Sequence, residues 1–389
     1  MPTKTTRTAN GCGAIRKRAD GRWEARITVG VDPITGKQKR KSVYGKTQKE
    51  VRMLLTKITA EVDAGEYLEP TKMKVGDWFD TWVSEYLIAN KPATRGAYNE
   101  HVRVHLKPYL GKLRLDALTA QQIQALYKKL MHDKQLSPKT IKNIHGVLHR
   151  SLEQARKLGY LKSNPADAVV LSRVEKKQVR TLDTPDLVTF LKAIAGDRYE
   201  LELFVDVFTG LRQGELLGLT WDCVDFEHNL LLINKQHNRA KGEKDFKFCS
   251  LKNDQIRMLT VPGEVMQALR RQQQRQALWA SIAGDKWNNA DNLVFTNEFG
   301  RYENNKTLYM NSKRIAEKLG MKNMRFHDLR HTYAVNSLKA GDDIKTLQEN
   351  LGHATASFTL STYAHATRTM KQESANRMAK FIESVKQGT

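Results

Sequence analysis

Hydrophobic and polar positions change period along this 389-residue chain, and the changes divide it into three parts. Trp23, Ala25, Ile27 and Val29 alternate with Glu24, Arg26 and Thr28, the two-residue period of a half-buried strand. A strand at 13–18 precedes it, before the Asp20-Gly21 turn. Another at 37–44 follows the turn at 32–36, and a helical pattern occupies 47–64. A linker around Pro70 leads to a stretch that is helical throughout. There Trp78, Phe79, Trp82, Val83 and Tyr86 recur at helical spacing, as core residues rather than base-stacking ones. Further helices are expected at 94–106, from Thr119 with Gln122 as a capping box, and from Ser137-Pro138 to about 158; Asn164-Pro165 stops the run. The third part opens at Thr184-Pro185-Asp186. It alternates helices with a strand at 230–234 and a hairpin of 246–251 and 256–261 that turns at 252–255. A long helix from Pro262, a short strand at 292–296, a helix at 304–319, another from His327 and a last one at 367–385 complete it.

The pattern predicts a multidomain α+β chain. It has a small N-terminal three-stranded sheet plus helix (1–65), a helical bundle (72–170), a basic linker (171–182) and a mainly α domain with a small antiparallel sheet (183–389).

Charge narrows the partner. The formal net charge is +23, and residues 1–60 alone hold 15 Lys and Arg against 4 Asp and Glu. Such concentration indicates a polyanion, and a basic three-stranded sheet is suited to a DNA major groove. Arg16, Lys17, Arg18, Arg26, Lys39, Arg40 and Lys41 are its candidate DNA-binding residues, with Lys139 and Lys142 on the bundle. No run of apolar residues is long enough to span a membrane, and none near the N-terminus reads as a signal peptide. Cys12, Cys223 and Cys249 form neither a disulfide framework nor a zinc spacing, so a reducing, cytoplasmic setting is expected.

The candidate chemistry lies in the last domain. His327 and Arg330 are three apart, so a helix presents both on one face. Arg suits a phosphate, and a Tyr hydroxyl is a possible nucleophile. Arg212 in Thr209-Gly210-Leu211-Arg212-Gln213-Gly214-Glu215-Leu216, His327-x-x-Arg330, Leu351-Gly352-His353 and Tyr363 together closely resemble the signature of tyrosine recombinases, in the order and spacing of phage and conjugative-transposon integrases. The resemblance spans the whole chain. It implies an arm-site-binding domain, a core-binding domain and a catalytic domain that cuts and rejoins DNA through a 3′-phosphotyrosyl link.

By that resemblance Tyr363 is the nucleophile and Arg212 and Arg330 clamp the scissile phosphate. His327 is the general base, His353 donates to a phosphate oxygen, Lys252 is the general acid, and Glu215 orients Arg212. The family hairpin often reads Lys-Thr followed by Ser and Arg; here it reads Lys252-Asn253-Asp254-Gln255-Ile256-Arg257. No cofactor or metal is expected, because arginines and histidines replace the carboxylate cluster of a two-metal site. The implied partners are double-stranded DNA at core and arm sites, and further copies of the chain in a tetramer joined by the C-terminal helix in trans. An excisionase and a host DNA-bending protein are also implied. The competing readings are a type IB topoisomerase, a chromosome-resolution recombinase, and a DNA-binding regulator without catalysis.

Overall fold

The computed structural model describes residues 15–31, 35–65, 67, 71–175, 180–238, 247–251, 255–321, 324–353, 355, 357, 375–376 and 378–386. The chain forms two compact units, Met1–Glu175 and Lys176–Thr389.

The first unit contains two separate cores. Strands β1 (Ile15–Lys17), β2 (Trp23–Val31) and β3 (Gln38–Gly45) make an antiparallel sheet in that order, backed by helix α1 (Gln48–Asp63). The alternation seen in the sequence decides its faces. Ala25, Ile27 and Val43 are buried against Val51 and Leu55 of α1. Arg16, Glu24 and Tyr44 therefore align as one cross-strand row on the opposite face, with Arg26 beside Ser42 next to it.

The bundle follows, with α2 (Val75–Thr81), α3 (Pro92–His101), α4 (Lys107–Leu110), α5 (Ala120–His132) and α6 (Pro138–Lys157). Pro92 is the first helical residue of α3 and not a residue before it, since proline lacks only an N–H that a helix start leaves unpaired anyway. The Thr119–Gln122 capping box forms in both directions, at 3.3 and 3.0 Å, and Ser137 caps α6 ahead of Pro138. Trp78, Phe79 and Trp82 are core residues, whereas Tyr86 lies partly at the surface. The indole of Trp78 donates to the Ser151 carbonyl at 3.1 Å and to its hydroxyl at 3.0 Å, which ties α2 to α6.

In the second unit, α7 (Thr184–Ile194), α8 (Glu200–Thr209), α9 (Gln213–Leu217), α10 (Gly263–Ala283), α11 (Asn305–Lys318), α12 (Phe326–Ala340) and α13 (Ile344–Leu351) surround a core that includes Phe190, Leu203, Leu216, Leu269, Phe295 and Leu329. The end of the expected linker is built into this unit: Leu182 is buried and its N–H donates to the Thr332 hydroxyl at 3.0 Å.

Among the described residues of this unit are five short strands, β4 (Val224–Asp225), β5 (Leu230–Ile233), β6 (Gln236–Asn238), β7 (Lys247–Cys249) and β8 (Arg257–Thr260). The expected hairpin of β7 on β8 is not what pairs. β8 lies against β5, in the sheet order β4-β5-β8, and β7 lies against β6. The two arms thus pair in two separate stretches, in different sheets. Residues 234–235 separate the strands on the outgoing arm, but 250–256 separate them on the return. Two apolar stretches flanking a polar one read locally as a hairpin. Pairing instead follows the longer register set by Leu231 and Leu259, both buried in the core. The segment expected to turn at 252–255 falls in the longer interruption, and its residues 252–254, Lys252 among them, lie outside the described residues. Residues 378–386 are helical and expose Met378, Phe381, Ile382 and Val385.

Trp78→Ala removes a buried side chain and both indole hydrogen bonds, and is expected to cost ~3–5 kcal/mol. Thr119→Ala, which removes one cap, is expected to cost about 1 kcal/mol. Amide hydrogen exchange of α6 in the full chain measures both, with the larger loss of protection for Trp78→Ala.

Candidate active site

Gly210 ends α8 in the left-handed region at φ 61°, which turns the chain sharply into Leu211 and Arg212. A Cβ at Gly210 would meet the Tyr333 ring at 2.4 Å, so glycine is required there for space as well as for conformation. Arg212 then caps the N-terminus of α9, and Glu215, one turn on, reaches back to it. The Glu215 Oε2 accepts the Arg212 main-chain N–H at 3.0 Å, and Oε1 accepts from Arg212 Nη1 at 2.7 Å. Glu215 is buried, and a second arginine shares it. Arg257, from β8, donates Nη2 to Oε2 at 2.7 Å and Nη1 to Oε1 at 3.3 Å. Burial opposes the charged carboxylate. The Arg257 hydrogen bonds, then the charges of Arg257 and Arg212, outweigh it and hold Glu215 down to about 2.

The other half of the site comes from α12 and the end of α13. Asp328 closes the start of α12 through the Arg325 N–H at 2.8 Å. His327 and Arg330 then project as their spacing predicts, but with different exposure. His327 is exposed, whereas Arg330 is only 1% exposed. Arg330 donates Nη1 to the Gly210 carbonyl at 2.6 Å and Nη2 to the Leu351 carbonyl. Gly352, at φ 60°, ends α13 and leads to His353.

The last carbonyls of a helix have no partner within it and carry the negative end of its dipole. Here three in succession take arginines. The Asn350 carbonyl accepts from Arg257 Nε at 2.8 Å, the Leu351 carbonyl from Arg330, and the Gly352 carbonyl from Arg212 Nη2 at 3.0 Å.

Three histidines border these cations. His327 and His331 meet edge to face, with ring centroids 4.8 Å apart. Burial first, then the charges of Arg330 and Arg212, pushes His353 down to about 3. Although an edge of His327 reaches solvent, the protein packed around its ring withdraws it from bulk water; that desolvation, then His331 and Arg330, brings it to about 4, and burial likewise lowers His331. Near neutral pH these imidazoles are uncharged, each able to accept a proton at one nitrogen and donate from the other. The arrangement suits an oxyanion: a fork of fixed positive charge beside neutral proton acceptors. Among the described residues no group of three or more His, Cys, Asp or Glu is placed to hold a metal ion.

The structure therefore brings together Arg212, Glu215, His327, Arg330 and His353. Lys252 and Tyr363 lie outside the described residues. Tyr333, the other tyrosine near the motif, packs behind Gly210, and burial raises its hydroxyl.

The basic candidates of the first unit separate by face. Arg16 and Arg26 flank Glu24 on the open side of the sheet, with bonds of 2.8 and 3.1 Å, and Arg40 pairs across from Thr28 on that side. Arg18 joins them through Glu24 at 3.9 Å and the Tyr44 ring at 5.5 Å. Lys17 and Lys41 stand opposite Trp23 and Ile27, on the α1 side, where Lys41 lies over the Tyr67 ring. Lys39 is opposite Gly30 beyond a register shift, and Lys139 and Lys142 are exposed on α6. Sequence reasoning assigned no role to Arg257. Its signals were the arginine that closes the family's hairpin pattern and its place at the head of an apolar strand, but its partner Glu215 is 42 positions away.

Residues 174–370 match the Phage integrase family, and residues 74–131 match the "Phage integrase, N-terminal SAM-like domain". The chain is 30% identical over 362 residues to a tyrosine recombinase XerC-like protein of Caldanaerobacter subterraneus subsp. tengcongensis, covering 88% of this chain and 92% of that one. It is 24% identical over 372 residues to the ICEBs1 integrase of Bacillus subtilis, covering 94% and 99%. In fold it is similar to the Tn1549 transposon integrase solved with a circular intermediate DNA, with a TM-score of 0.68 at 22% identity, over 79% of this chain and all of that one. It is also similar to a lambda integrase tetramer bound to a Holliday junction, with a TM-score of 0.56 at 17% identity, over 88% and 96%.

Glu215→Gln leaves two guanidinium groups without their shared carboxylate and is expected to destabilise the second unit by ~3–5 kcal/mol, read by urea unfolding. The histidines set a separate acid limit. Their folded pKa values lie below 6.5, so the unfolded chain binds more protons as pH falls below that value. Their contribution is fully present above pH 6.5 and is lost toward pH 4 and below, ahead of the Glu215 contribution, which is lost only as pH falls from 4.5 through about 2. The melting temperature is expected to decline from pH 6.5 downward, and a His327→Gln/His353→Gln variant to show a shallower decline.

Proposed function

The chain belongs to the Phage integrase family, and from that membership we propose a site-specific tyrosine recombinase that cuts and rejoins DNA to integrate and excise a mobile element. The observation that carries the chemistry is the convergence of Arg212 and Arg330 on neighbouring carbonyls of one helix end, next to His327 and His353. Two guanidiniums held together in this way suit the charge that builds on the non-bridging oxygens of a phosphodiester under attack.

Tyr363 attacks the phosphorus, which becomes linked to the tyrosine at the 3′ end as the 5′-oxygen leaves. An ordinary tyrosine pKa is about 10, so its proton must be accepted as the bond forms. In this reading His327, held neutral, accepts it. Lys252 protonates the departing 5′-oxygen, and His353 donates a hydrogen bond to a phosphate oxygen. The phosphotyrosyl link retains the energy of the broken bond, so the second strand's 5′-hydroxyl rejoins by the reverse steps without ATP. Arg330 is almost wholly covered in this structure, so its contact with phosphate requires the groups over it to move.

The remaining parts serve placement. The open face of the N-terminal sheet, with Arg16, Arg18, Arg26 and Arg40, reads arm sites. The helical domain with Lys139 and Lys142 holds the core site. The chain acts as a tetramer on DNA, in which the helix at 378–386 docks its exposed Met378, Phe381, Ile382 and Val385 on a neighbouring copy. An excisionase and a host DNA-bending protein set direction. The solved lambda integrase tetramer on a Holliday junction and the DNA complexes of the Tn1549 integrase support DNA binding and the tetramer.

A nicked suicide duplex carrying the attachment sequence at the end of the encoding element tests the reading. Wild-type protein is expected to form an adduct that survives detergent. Tyr363→Phe is expected to form none while binding the duplex with unchanged affinity. Absence of an adduct with wild type overturns the proposal.

A further inference from the structure

Arg257 is an arginine for which the cleavage chemistry above has no use. Its side chain is 8% exposed, and three of its five N–H donors are engaged within the protein. Nε goes to the Asn350 carbonyl, and Nη1 and Nη2 go to the two Glu215 oxygens. With Nε and both amino groups already engaged by Asn350 and Glu215, it acts on the site through those neighbours.

Two features define that effect. The first is charge. Glu215 is the anchor of Arg212, through both the main-chain N–H and Nη1. A carboxylate paired with a single guanidinium leaves no net charge, and an arginine neutralised by its own anchor is a weak clamp for a developing oxyanion. With Arg257 on the same carboxylate, the group of three keeps one positive charge. The second is orientation. Each Glu215 oxygen makes a 2.7 Å bond to a different arginine, Oε1 to Arg212 and Oε2 to Arg257. Arg257 and Arg212 also bind carbonyls two residues apart, Asn350 and Gly352. The chain Glu215, Arg212, the end of α13, Arg257 and back to Glu215 is a closed ring, and opening it at Arg257 frees the carboxylate to rotate. The space is tight as well: a Cβ at Gly352 would come within 3.0 Å of Arg257 Nη1.

We propose that Arg257 is a positioning residue for strand cleavage, which neutralises and orients Glu215 so that Arg212 presents a charged, correctly turned fork to the scissile phosphate. The assignment rests on the recombinase reading. Lysine supplies the charge but not the bidentate geometry, so Arg257→Lys falls between wild type and Arg257→Gln.

The test is the single-turnover rate of adduct formation by the full chain at saturating protein, on two versions of the suicide duplex. One carries an ordinary scissile phosphate, and the other a methylphosphonate, whose missing anionic oxygen removes the charge the fork serves. On the ordinary duplex Arg257→Gln is expected to be slower by roughly 10- to 100-fold, and Arg257→Lys by less, with DNA affinity little changed. On the methylphosphonate the ratio of wild type to variant is expected to fall toward one. A structural defect would slow both duplexes alike, so an equal ratio on the two overturns the proposal. An unchanged rate of Arg257→Gln on the ordinary duplex also overturns it. If Arg257→Gln does not fold, Arg257→Lys, which keeps a charge beside Glu215, carries the same comparison. Failure of wild type to react on either duplex would instead sink the recombinase reading, which keeps the two failures apart.

Discussion

Three guanidinium groups on three successive carbonyls at the end of an eight-residue helix form the constraint on which the second unit turns. Like charges this close repel, and each is costly to bury alone. The carbonyls and helix dipole of α13 offset part of that cost, and Glu215 offsets more. Every element that supplies a group is thereby tied to one point: α8 through the Gly210 carbonyl, α9 through Arg212 and Glu215, β8 through Arg257, and α12 through Arg330. The hydrophobic core brings these elements into range, but charge pairing fixes how their ends meet.

The histidines show the same field from the other side. Withdrawal from water, and after it the cations that clamp an anion, disfavour protonated imidazole, so both lower His327 and His353. A phosphate arriving at the site would cancel part of that repulsion and make both rings more basic as the nucleophile loses its proton. The affinity of the site for phosphate and the basicity of its proton acceptor are therefore coupled through the same arginines.

Much of this was legible in the sequence where a local rule decides the outcome. The Thr119–Gln122 capping box, the alternation of β2 and the helix opened by Arg212 after Gly210 depend on residues a few positions apart. The pairing of β7 and β8 was not legible, because a polar segment between two apolar ones looks the same whether it is a hairpin turn or a break between strands of different sheets. Arg257 was hidden for a related reason. Nothing near it in the chain shows that a strand residue must pair with a helix residue 42 positions earlier. The sorting of Lys17 and Lys41 away from the open face of the sheet did follow from the two-residue period, but a count of charges alone treats both faces as one.

The anchors of the arginines also bear on which substitutions the fold tolerates. Carbonyl oxygens belong to the main chain and are supplied by any residue, so the side chains at Asn350 and Leu351 carry no part of the arginine recognition itself. The strict requirement falls on Gly352, whose φ of 60° and closeness to Arg257 exclude most replacements. An active site seated on main-chain atoms can keep its geometry while most of the sequence around it drifts. That fits a fold still recognisable at 22% identity to the Tn1549 integrase.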